Sequence, residues 1–298
     1  MSSHPSSAPE PTASGPVARG ADSDAADPTE RGLILEDGPD RGRTGRRALG
    51  IAGFAVLAGT YLALVLTQPA GIAEGLGQGV ALAAFAGYLA AALLLLAAVL
   101  PELPVGTLTL IPVALALNIV LGQFVGSVMV PLYLDSIGTV LVGFLAGRRA
   151  GAATGVLGTL VWSLFNPTVL PFAAGAGLIG LLAGTAARFG AVRRIVVAPV
   201  AGLLAGVVGG LVAAPVAAFV FGGTSGVGTG ALVGAFRAMG DSLLSAVTKQ
   251  ALISDPGDKA VVFLIAALLV HALPGRLTRT FAFVRRHRVL GRRPQPQE

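Results

Sequence analysis

Residues 118–172 read NIVLGQFVGSVMVPLYLDSIGTVLVGFLAGRRAGAATGVLGTLVWSLFNPTVLPF. The stretch is apolar enough to lie in a membrane, but it carries polar and aromatic side chains at Asn118, Gln123, Tyr133, Asp135, Trp162 and Asn166. Its many glycines and other small residues let helix backbones approach one another closely. Because polar groups inside a bilayer are costly, they usually line a cavity or a binding site. We therefore expect this stretch to form the centre of a small-molecule site in a membrane protein.

The composition of the whole chain also indicates a membrane protein. Of the 298 residues, 54% are hydrophobic and only 12% are charged, whereas a soluble domain is about 25% charged. More than half of the 15 acidic residues precede Ala48, and most arginines lie in the two terminal segments. Apolar runs separated by Gly and Pro lie between these segments. This pattern is typical of an all-α, polytopic membrane protein.

Residue counts exclude several kinds of site. The sequence pI of about 10.7 would suit a nucleic-acid-binding protein, but the basic residues flank apolar runs and no basic-aromatic groove pattern accompanies them. The chain has no cysteine, so disulfides, thiolate metal sites and cysteine nucleophiles are excluded. Its histidines are too scattered for a metal cluster. We expect no cofactor, no metal and no nucleic-acid partner.

The apolar runs predict about eight transmembrane helices. They cover residues 48–66, 78–100, 106–124, 131–147, 151–165, 169–187, 195–221 and 259–273. Residues 1–45 lack large apolar groups and are expected to form a disordered cytoplasmic tail. The domain organisation is then this tail, a transmembrane hairpin at 46–104, a core at 105–279 and a basic cytoplasmic tail at 280–298.

The distribution of basic residues predicts the orientation of these helices. With eight spans and a cytoplasmic N-terminus, the arginine pair at 148 and 149 lies inside, as do the arginines that follow the sixth and the eighth span. Only Arg237, Lys249 and Lys259 lie outside, in one long loop. Cytoplasmic loops of membrane proteins carry an excess of Lys and Arg. We therefore predict a multi-pass plasma-membrane protein with both termini in the cytoplasm.

The outer loop, residues 222–258, contains a segment with helical periodicity. In residues 231–253, Arg237, Asp241, Ser245 and Lys249 recur every four residues and would form one polar stripe. Two interpretations remain open. The segment is either an interfacial helix that rests on the membrane or a lid over an outward-facing pocket, which makes Asp241 a candidate site residue. The charged run at 255–259 would then cap the start of the last helix.

Asp135 is the main candidate for binding a ligand, because it is the one acidic residue well inside an apolar run. It would accept a hydrogen bond or a cation from the ligand, or else cap a helix entrance. Trp162 and Asn166 are one turn apart and share a helix face, where Trp162 would stack on a ligand or sit in the interfacial belt. Tyr133 and Gln123 lie at the same predicted depth.

Asn118 lies deeper, in the middle of the third span, where an amide would contact the ligand or join two helices. No nucleophile, histidine and carboxylate occur in a catalytic pattern. No Gly-rich segment is followed by the Lys and Ser or Thr of a phosphate-binding loop. We therefore expect a binding protein without enzymatic activity of its own.

Three motifs in this region resemble the substrate-binding S component of an energy-coupling factor (ECF) transporter. They are PLYLDSIGT at residues 131–139, the segment 151–162, and Asn166-Pro167-Thr168. The charged run at 255–259 and Leu273-Pro274 are similar too, so the resemblance covers roughly residues 105–279. It implies a six-helix core made of spans three to eight. The hairpin at 46–104 departs from the family pattern, and so does Asn118, which stands where the family commonly has the second alanine of an Ala-x-x-x-Ala motif.

The resemblance also implies a function and partners. S components bind a vitamin or related micronutrient near the outer face and work with a transmembrane coupling protein and two cytoplasmic ATPases. A carboxylate and an aromatic ring would suit a vitamin, pyrimidine or nucleoside-like substrate. Two other readings remain open. One is an autonomous secondary transporter or channel that uses Asp135 as an ion or proton site; the other is a membrane anchor whose polar cluster is purely structural.

Overall fold

The computed structural model describes residues 41–69, 75–103, 105–127, 132–223 and 227–291, and these form helices and connecting segments without a β-strand. The helices are α1 Arg41–Thr67, α2 Gly79–Val99, α3 Val105–Gly126, α4 Ile137–Ala146, α5 Arg148–Ser163, α6 Ala173–Arg188, α7 Val197–Phe221, α8 Val227–Ala238, α9 Leu243–Ala272, α10 Gly275–Thr278 and α11 Ala282–His287. Short 3₁₀ helices cover Leu100–Glu102 and Pro167–Phe172. The predicted all-α class is confirmed.

Within the described residues, five helices are long and apolar enough to cross a membrane. They are Thr44–Thr67, Gly79–Val99, Leu108–Val125, Pro167–Arg188 and Val197–Phe221, of which Pro167–Arg188 combines the second 3₁₀ helix with α6. The other three of the eight predicted transmembrane helices stay a prediction. Helix α4 has only 10 residues, which is about 15 Å against a hydrocarbon core of about 30 Å. Helix α5 has 16 residues, and α9 carries charged residues in its middle.

Helix α4 lies at the centre of the bundle, between α3, α5, α6 and α9. Every residue from Ile137 to Leu145 is buried, which explains why this run has no polar face. Phe144 packs edge-on against Phe263 of α9, with 5.4 Å between the ring centroids. A helix that is apolar all round is buried on all sides. Helix α4 therefore serves as the core around which the longer helices pack.

The α1–α2 hairpin packs against α5 and against the 3₁₀ helix at Pro167–Phe172. Leu57 and Tyr88 are buried there together with Val156 and Leu170. The Tyr88 hydroxyl donates to the carbonyl of Pro171 over 3.3 Å, and the Tyr61 hydroxyl donates to the carbonyl of Val212 in α7 over 2.9 Å. The hairpin is thus joined to α5, to α7 and to the 3₁₀ helix at Pro167–Phe172.

Glycines bring α7 and α9 into backbone contact. A Cβ atom at Gly202 would lie 2.3 Å from the carbonyl oxygen of Lys259, and one at Gly206 would lie 2.3 Å from that of Asp255. No side chain fits at these distances, so Gly202 and Gly206 permit the close packing that small residues provide between membrane helices. This contact holds the charged middle of α9 against α7.

Three predictions for residues 231–259 are wrong. The eighth helix does not begin at Lys259 but at Leu243, and it continues through Pro256, which membrane helices tolerate when neighbours satisfy the freed backbone groups. The charged run at 255–259 therefore lies inside a helix and caps nothing. The predicted helix 231–253 is broken, because Gly240 has a left-handed φ of +96° and Ser242 caps a new helix.

The ends of the predicted regions also differ. Helix α4 begins at Ile137 rather than 131, because residues 132–136 form a loop. The predicted disorder of residues 1–45 lies outside the described residues up to residue 40, and residues 41–45 are helical. In the predicted tail 280–298, α11 is ordered, and its Phe283 would contact a Cβ atom at Gly147; residues 292–298 lie outside the described part.

Arginines collect at one end of the bundle, which we call the basic end. Helix α5 begins there with Arg148 and Arg149, and the Arg149 side chain approaches Gly50 of α1. Arg193, which follows α6, donates to the carbonyls of His287 and Arg288 near the C-terminus. The starts of α1 and α5 and the last helix α11 therefore lie at the same end.

Candidate functional site

A cavity of about 480 Å³ opens at the end of the bundle opposite the basic end. Its wall consists of the C-terminal ends of α3 and α5, the loop 132–136, the 3₁₀ helix at Pro167–Phe172, and parts of α6, α7 and α9. Pockets for small ligands typically measure about 300–1,000 Å³ and combine apolar lining with a few polar groups. The cavity has the size and the composition of such a pocket.

Six of the seven predicted site residues border this cavity. They are Asn118, Gln123, Tyr133, Asp135, Trp162 and Asn166. They come from α3, from the loop before α4, and from α5 and the residues after it, so the structure brings together groups that are up to 48 positions apart in the sequence. The seventh residue, Asp241, is not part of the lining and lies at the break between α8 and α9.

The Asp135 carboxylate is paired with a cation of the protein. Its Oδ1 atom lies 3.0 Å from Nζ of Lys259 in α9. The same ammonium group contacts Oδ2 of Asp258 at 2.5 Å. The Asp258 side chain is fully buried, that of Lys259 is 11% exposed, and that of Asp135, which borders the cavity, is 34% exposed. We call Asp135, Asp258 and Lys259 the buried charge cluster.

Asp258 also fixes the loop that carries Tyr133 and Asp135. Its Oδ1 atom accepts hydrogen bonds from the backbone N–H groups of Tyr133, at 2.9 Å, and Leu134, at 2.8 Å. Leu134 has a φ of +51°, a conformation that is strained for a residue other than glycine. The Tyr133 hydroxyl donates to Thr229 of α8 over 3.1 Å. The loop is therefore attached to both α8 and α9.

Asn118 connects two helices through both ends of its amide. Its Nδ2 atom donates to the Thr139 hydroxyl over 2.8 Å, and its Oδ1 atom accepts from the backbone N–H of Gly138 over 2.7 Å. The side chain is buried although it borders the cavity. These contacts favour the helix-joining role, because the strongest hydrogen-bonding groups of the amide already have partners within the protein.

Trp162 and Gln123 meet across the mouth of the cavity. The indole Nε1 donates to the Gln123 side-chain oxygen over 3.3 Å, and Gly122 leaves the space that the indole ring needs. Asn166 caps the following 3₁₀ helix, since its Oδ1 atom accepts from the backbone N–H of Thr168. Asn166 therefore caps a helix in addition to its place on the cavity. For Trp162, both ligand stacking and a place in the interfacial belt stay predictions.

Asp241 belongs to a different group of charges, which we call the exposed charge cluster. Its carboxylate accepts from Lys249 Nζ at 2.8 Å and from the Ser245 hydroxyl at 3.2 Å. Arg237 donates to its backbone carbonyl. The hydrogen bond from Lys249 lowers the pKa of Asp241. The four residues of the predicted polar stripe thus do meet, but across a helix break.

Sequence reasoning missed the contribution of α9 to the cavity. Val247, Gln250, Ala251, Asp255 and Lys259 line it from that helix. The sequence carries a signal for this face, because residues 247, 251, 255 and 259 recur at helical spacing. The signal was masked by Pro256 and Gly257, which favoured a loop at this position. Ser136 also borders the cavity and was not predicted.

Within the described residues, no group of three or more His, Cys, Asp or Glu side chains could hold a metal ion. Comparisons with known protein families, with curated proteins and with solved structures find no match to the chain. The features of the molecule that indicate a function are therefore the geometry of the cavity and the sequence motifs that surround it.

Proposed function

We propose that the protein is the substrate-capture subunit of an ECF-type importer, which binds a vitamin-like micronutrient at the extracellular side. The observation that carries this proposal is the cavity of about 480 Å³ at the end of the bundle opposite the arginines. It contains the residues on which the sequence resemblance rests. Tyr133 and Asp135 come from the PLYLDSIGT motif, and Trp162 and Asn166 come from the two that follow it.

The charge distribution supports the proposed orientation. Arg148, Arg149 and Arg193 lie at the basic end, and the positive-inside rule assigns such an end to the cytoplasm. The cavity then faces the outside of the plasma membrane, and both termini lie in the cytoplasm. A capture subunit requires this arrangement, because the substrate must reach the site before it crosses the membrane.

The lining supports a small, partly aromatic substrate. Trp162 and Phe172 offer ring surfaces, while Asp135, Gln123 and Ser136 offer polar groups. Such a wall suits a vitamin, a pyrimidine or a nucleoside-like molecule, which presents a planar ring with polar edges. The sequence has no phosphate-binding loop, so the proposal assigns energy supply to cytoplasmic ATPases that act through a transmembrane coupling protein.

The proposal is tested by purifying the full chain alone in detergent and identifying copurifying small molecules by mass spectrometry. We expect a vitamin-like compound that binds to the isolated chain and whose retention falls in Asp135→Ala and Trp162→Ala. Lys249→Gln is the control, since Lys249 belongs to the exposed charge cluster and does not border the cavity. A chain that binds no small molecule under any condition would contradict the proposal.

The secondary-transporter alternative rests on one observation, the ion pair of Asp135 with Lys259 inside the cavity. A transporter that works alone would exchange substrate across a membrane without partner proteins. Counterflow of the copurified compound in liposomes that contain only this chain separates the two functions. Substrate exchange would support the transporter, whereas binding without exchange, with uptake restored by a coupling protein and ATPases, supports the capture subunit.

A further inference from the structure

The charged residues of the cavity differ in whether they have partners. Among the lining residues of the described chain, three carry charge: Asp135, Asp255 and Lys259. Asp258 lies directly behind them, fully buried. Three carboxylates and one ammonium group give this region a net negative formal charge. A binding site with one sign of charge and low-dielectric walls attracts ligands of the opposite sign.

Two of the three carboxylates are already occupied by protein groups. Lys259 bonds Asp135 at 3.0 Å and Asp258 at 2.5 Å. Asp258 also accepts two backbone N–H groups from the loop. A ligand cation that drew Asp258 away from Lys259 would leave a charge unpaired in a buried place, which is strongly unfavourable. Asp135, whose side chain is 34% exposed, stays reachable from the cavity, but Lys259 already neutralises part of its charge.

Of the three carboxylates, Asp255 is the one that does not contact Lys259. It lies one turn before Lys259 on α9, and within the described residues no Lys, Arg or His nitrogen approaches it within ion-pair distance. Its one hydrogen bond is to the Ser254 hydroxyl, at 3.1 Å. Gly210 leaves room for the carboxylate, because a Cβ atom at that position would lie 3.0 Å from Oδ2 of Asp255.

A second polar group of the same cavity has no partner. The hydroxyl of Ser136 is buried, at 3% residue exposure, and its Oγ atom makes no hydrogen bond. A buried hydroxyl without a partner is unfavourable unless a ligand or water supplies one. Ser136 comes from the loop side of the cavity and Asp255 from α9, so the unpartnered hydroxyl and the carboxylate without a cation lie on different elements of the wall.

We infer that the cavity binds a small organic cation that also carries a hydrogen-bonding atom, with Asp255 as the partner of its positive group and Ser136 as the partner of that atom. The inference rests on the proposed function and specifies its substrate. A bare metal ion does not fit, because the described residues contain no cluster of three ligands. The ring of Trp162 on the wall suits an organic cation, since aromatic faces attract positive charge.

The test uses the full chain, purified in detergent, and a water-soluble cell extract separated by ion exchange at pH 7 into cationic, neutral and anionic fractions. Each fraction is incubated with the protein, and bound compounds are measured by mass spectrometry after gel filtration. We expect binding from the cationic fraction. Asp255→Asn should reduce it about tenfold or more, because a desolvated charge pair is lost. Ser136→Ala should reduce it by a smaller factor.

Gly210→Ala is a second variant that keeps the charge of Asp255 but displaces its carboxylate, and we expect weaker binding from the same fraction. Gly234→Ala in α8 is its control, because a Cβ atom there meets open space. Binding only from the neutral or anionic fraction, or wild-type binding by a folded Asp255→Asn, would overturn the inference while the proposed function stands. Binding from no fraction would overturn both.

Discussion

One ion pair of the buried charge cluster and one of the exposed charge cluster use the same residue types in different surroundings. Lys259 pairs with Asp258 where the two side chains are 11% and 0% exposed, and Lys249 pairs with Asp241 where they are 51% and 20% exposed. The distances are similar, at 2.5 and 2.8 Å. Sequence periodicity singled out the exposed pair, whereas the buried pair is the one beside the cavity.

How much an ion pair contributes to stability depends on how far its two side chains are exposed to solvent. In water an ion pair gains little, because the solvent screens the charges and the side chains lose entropy. In a buried place the desolvation penalty is large, and each charge depends on its partners. The buried cluster connects the loop 132–136 to α9 across 124 positions of sequence. Its loss should disturb the cavity, and loss of the exposed pair should not.

The largest expected effect comes from Lys259→Met. The substitution leaves Asp135 and Asp258 without their cation, and we expect the free energy of unfolding to fall by about 3–5 kcal/mol. Equilibrium unfolding in mixed micelles, followed by helical circular dichroism, measures this change. Lys249→Met is the matched control and should lower the free energy of unfolding far less, because its pair is screened by solvent. Equal losses in the two variants would remove the distinction between the clusters.

Gly202→Ala should have the next largest effect. The added Cβ would lie 2.3 Å from the carbonyl oxygen of Lys259, so α7 and α9 must separate where the buried cluster lies. We expect a loss of about 1–3 kcal/mol, as for other overpacked interiors. The same micelle unfolding experiment applies. Gly234→Ala, beside the exposed cluster, meets open space and should be neutral or stabilising, by up to about 1 kcal/mol.

Much of the fold could be predicted from the sequence. The apolar runs give helices at α2, α3, α6 and α7 with errors of a few residues, because a long run free of charge has few alternatives. The first run gives α1 too, but α1 begins at Arg41 rather than at residue 48. Helix α9 could not be predicted in this way. Its residues Asp255, Pro256 and Gly257 indicate a loop by local preference, and the helix exists because α7 packs against it through Gly202 and Gly206. Tertiary contact overrides local propensity there.

The candidate site was predictable where its residues are rare in their surroundings. Asp135 and Trp162 stand out in apolar segments, and both border the cavity. Asp255 and Lys259 were assigned to the outside because charge density near a proline favours a loop. Lys259 pairs with Asp135 on the loop before α4, and such a pairing across 124 positions leaves no local pattern. The unsatisfied Ser136 hydroxyl likewise requires coordinates to be recognised.

Asn118→Ala and Ser245→Ala compare the loss of a buried and of an exposed uncharged side chain that forms hydrogen bonds. The substitution leaves the Thr139 hydroxyl and the Gly138 N–H without their partner, and we expect a loss of about 1–3 kcal/mol. Ser245→Ala removes one hydrogen bond to Asp241 in the exposed cluster, where water can replace it. Unfolding in micelles compares the two. A larger loss for Ser245→Ala would show that solvent exposure does not govern these contacts.

The smallest expected effect concerns the pH dependence of the exposed cluster. The hydrogen bond from Lys249 lowers the pKa of Asp241 from its ordinary value of 3.8. A carboxyl group whose pKa is lower in the folded state stabilises the fold above its unfolded pKa, and this contribution is lost as the pH falls through the folded value. The difference in unfolding free energy between wild type and Asp241→Asn should therefore be constant above pH 3.8 and shrink below it. Added salt should shrink it at neutral pH as well, because exposed charges are screened. A difference that is insensitive to salt would mean that this pair is shielded from solvent like the buried one.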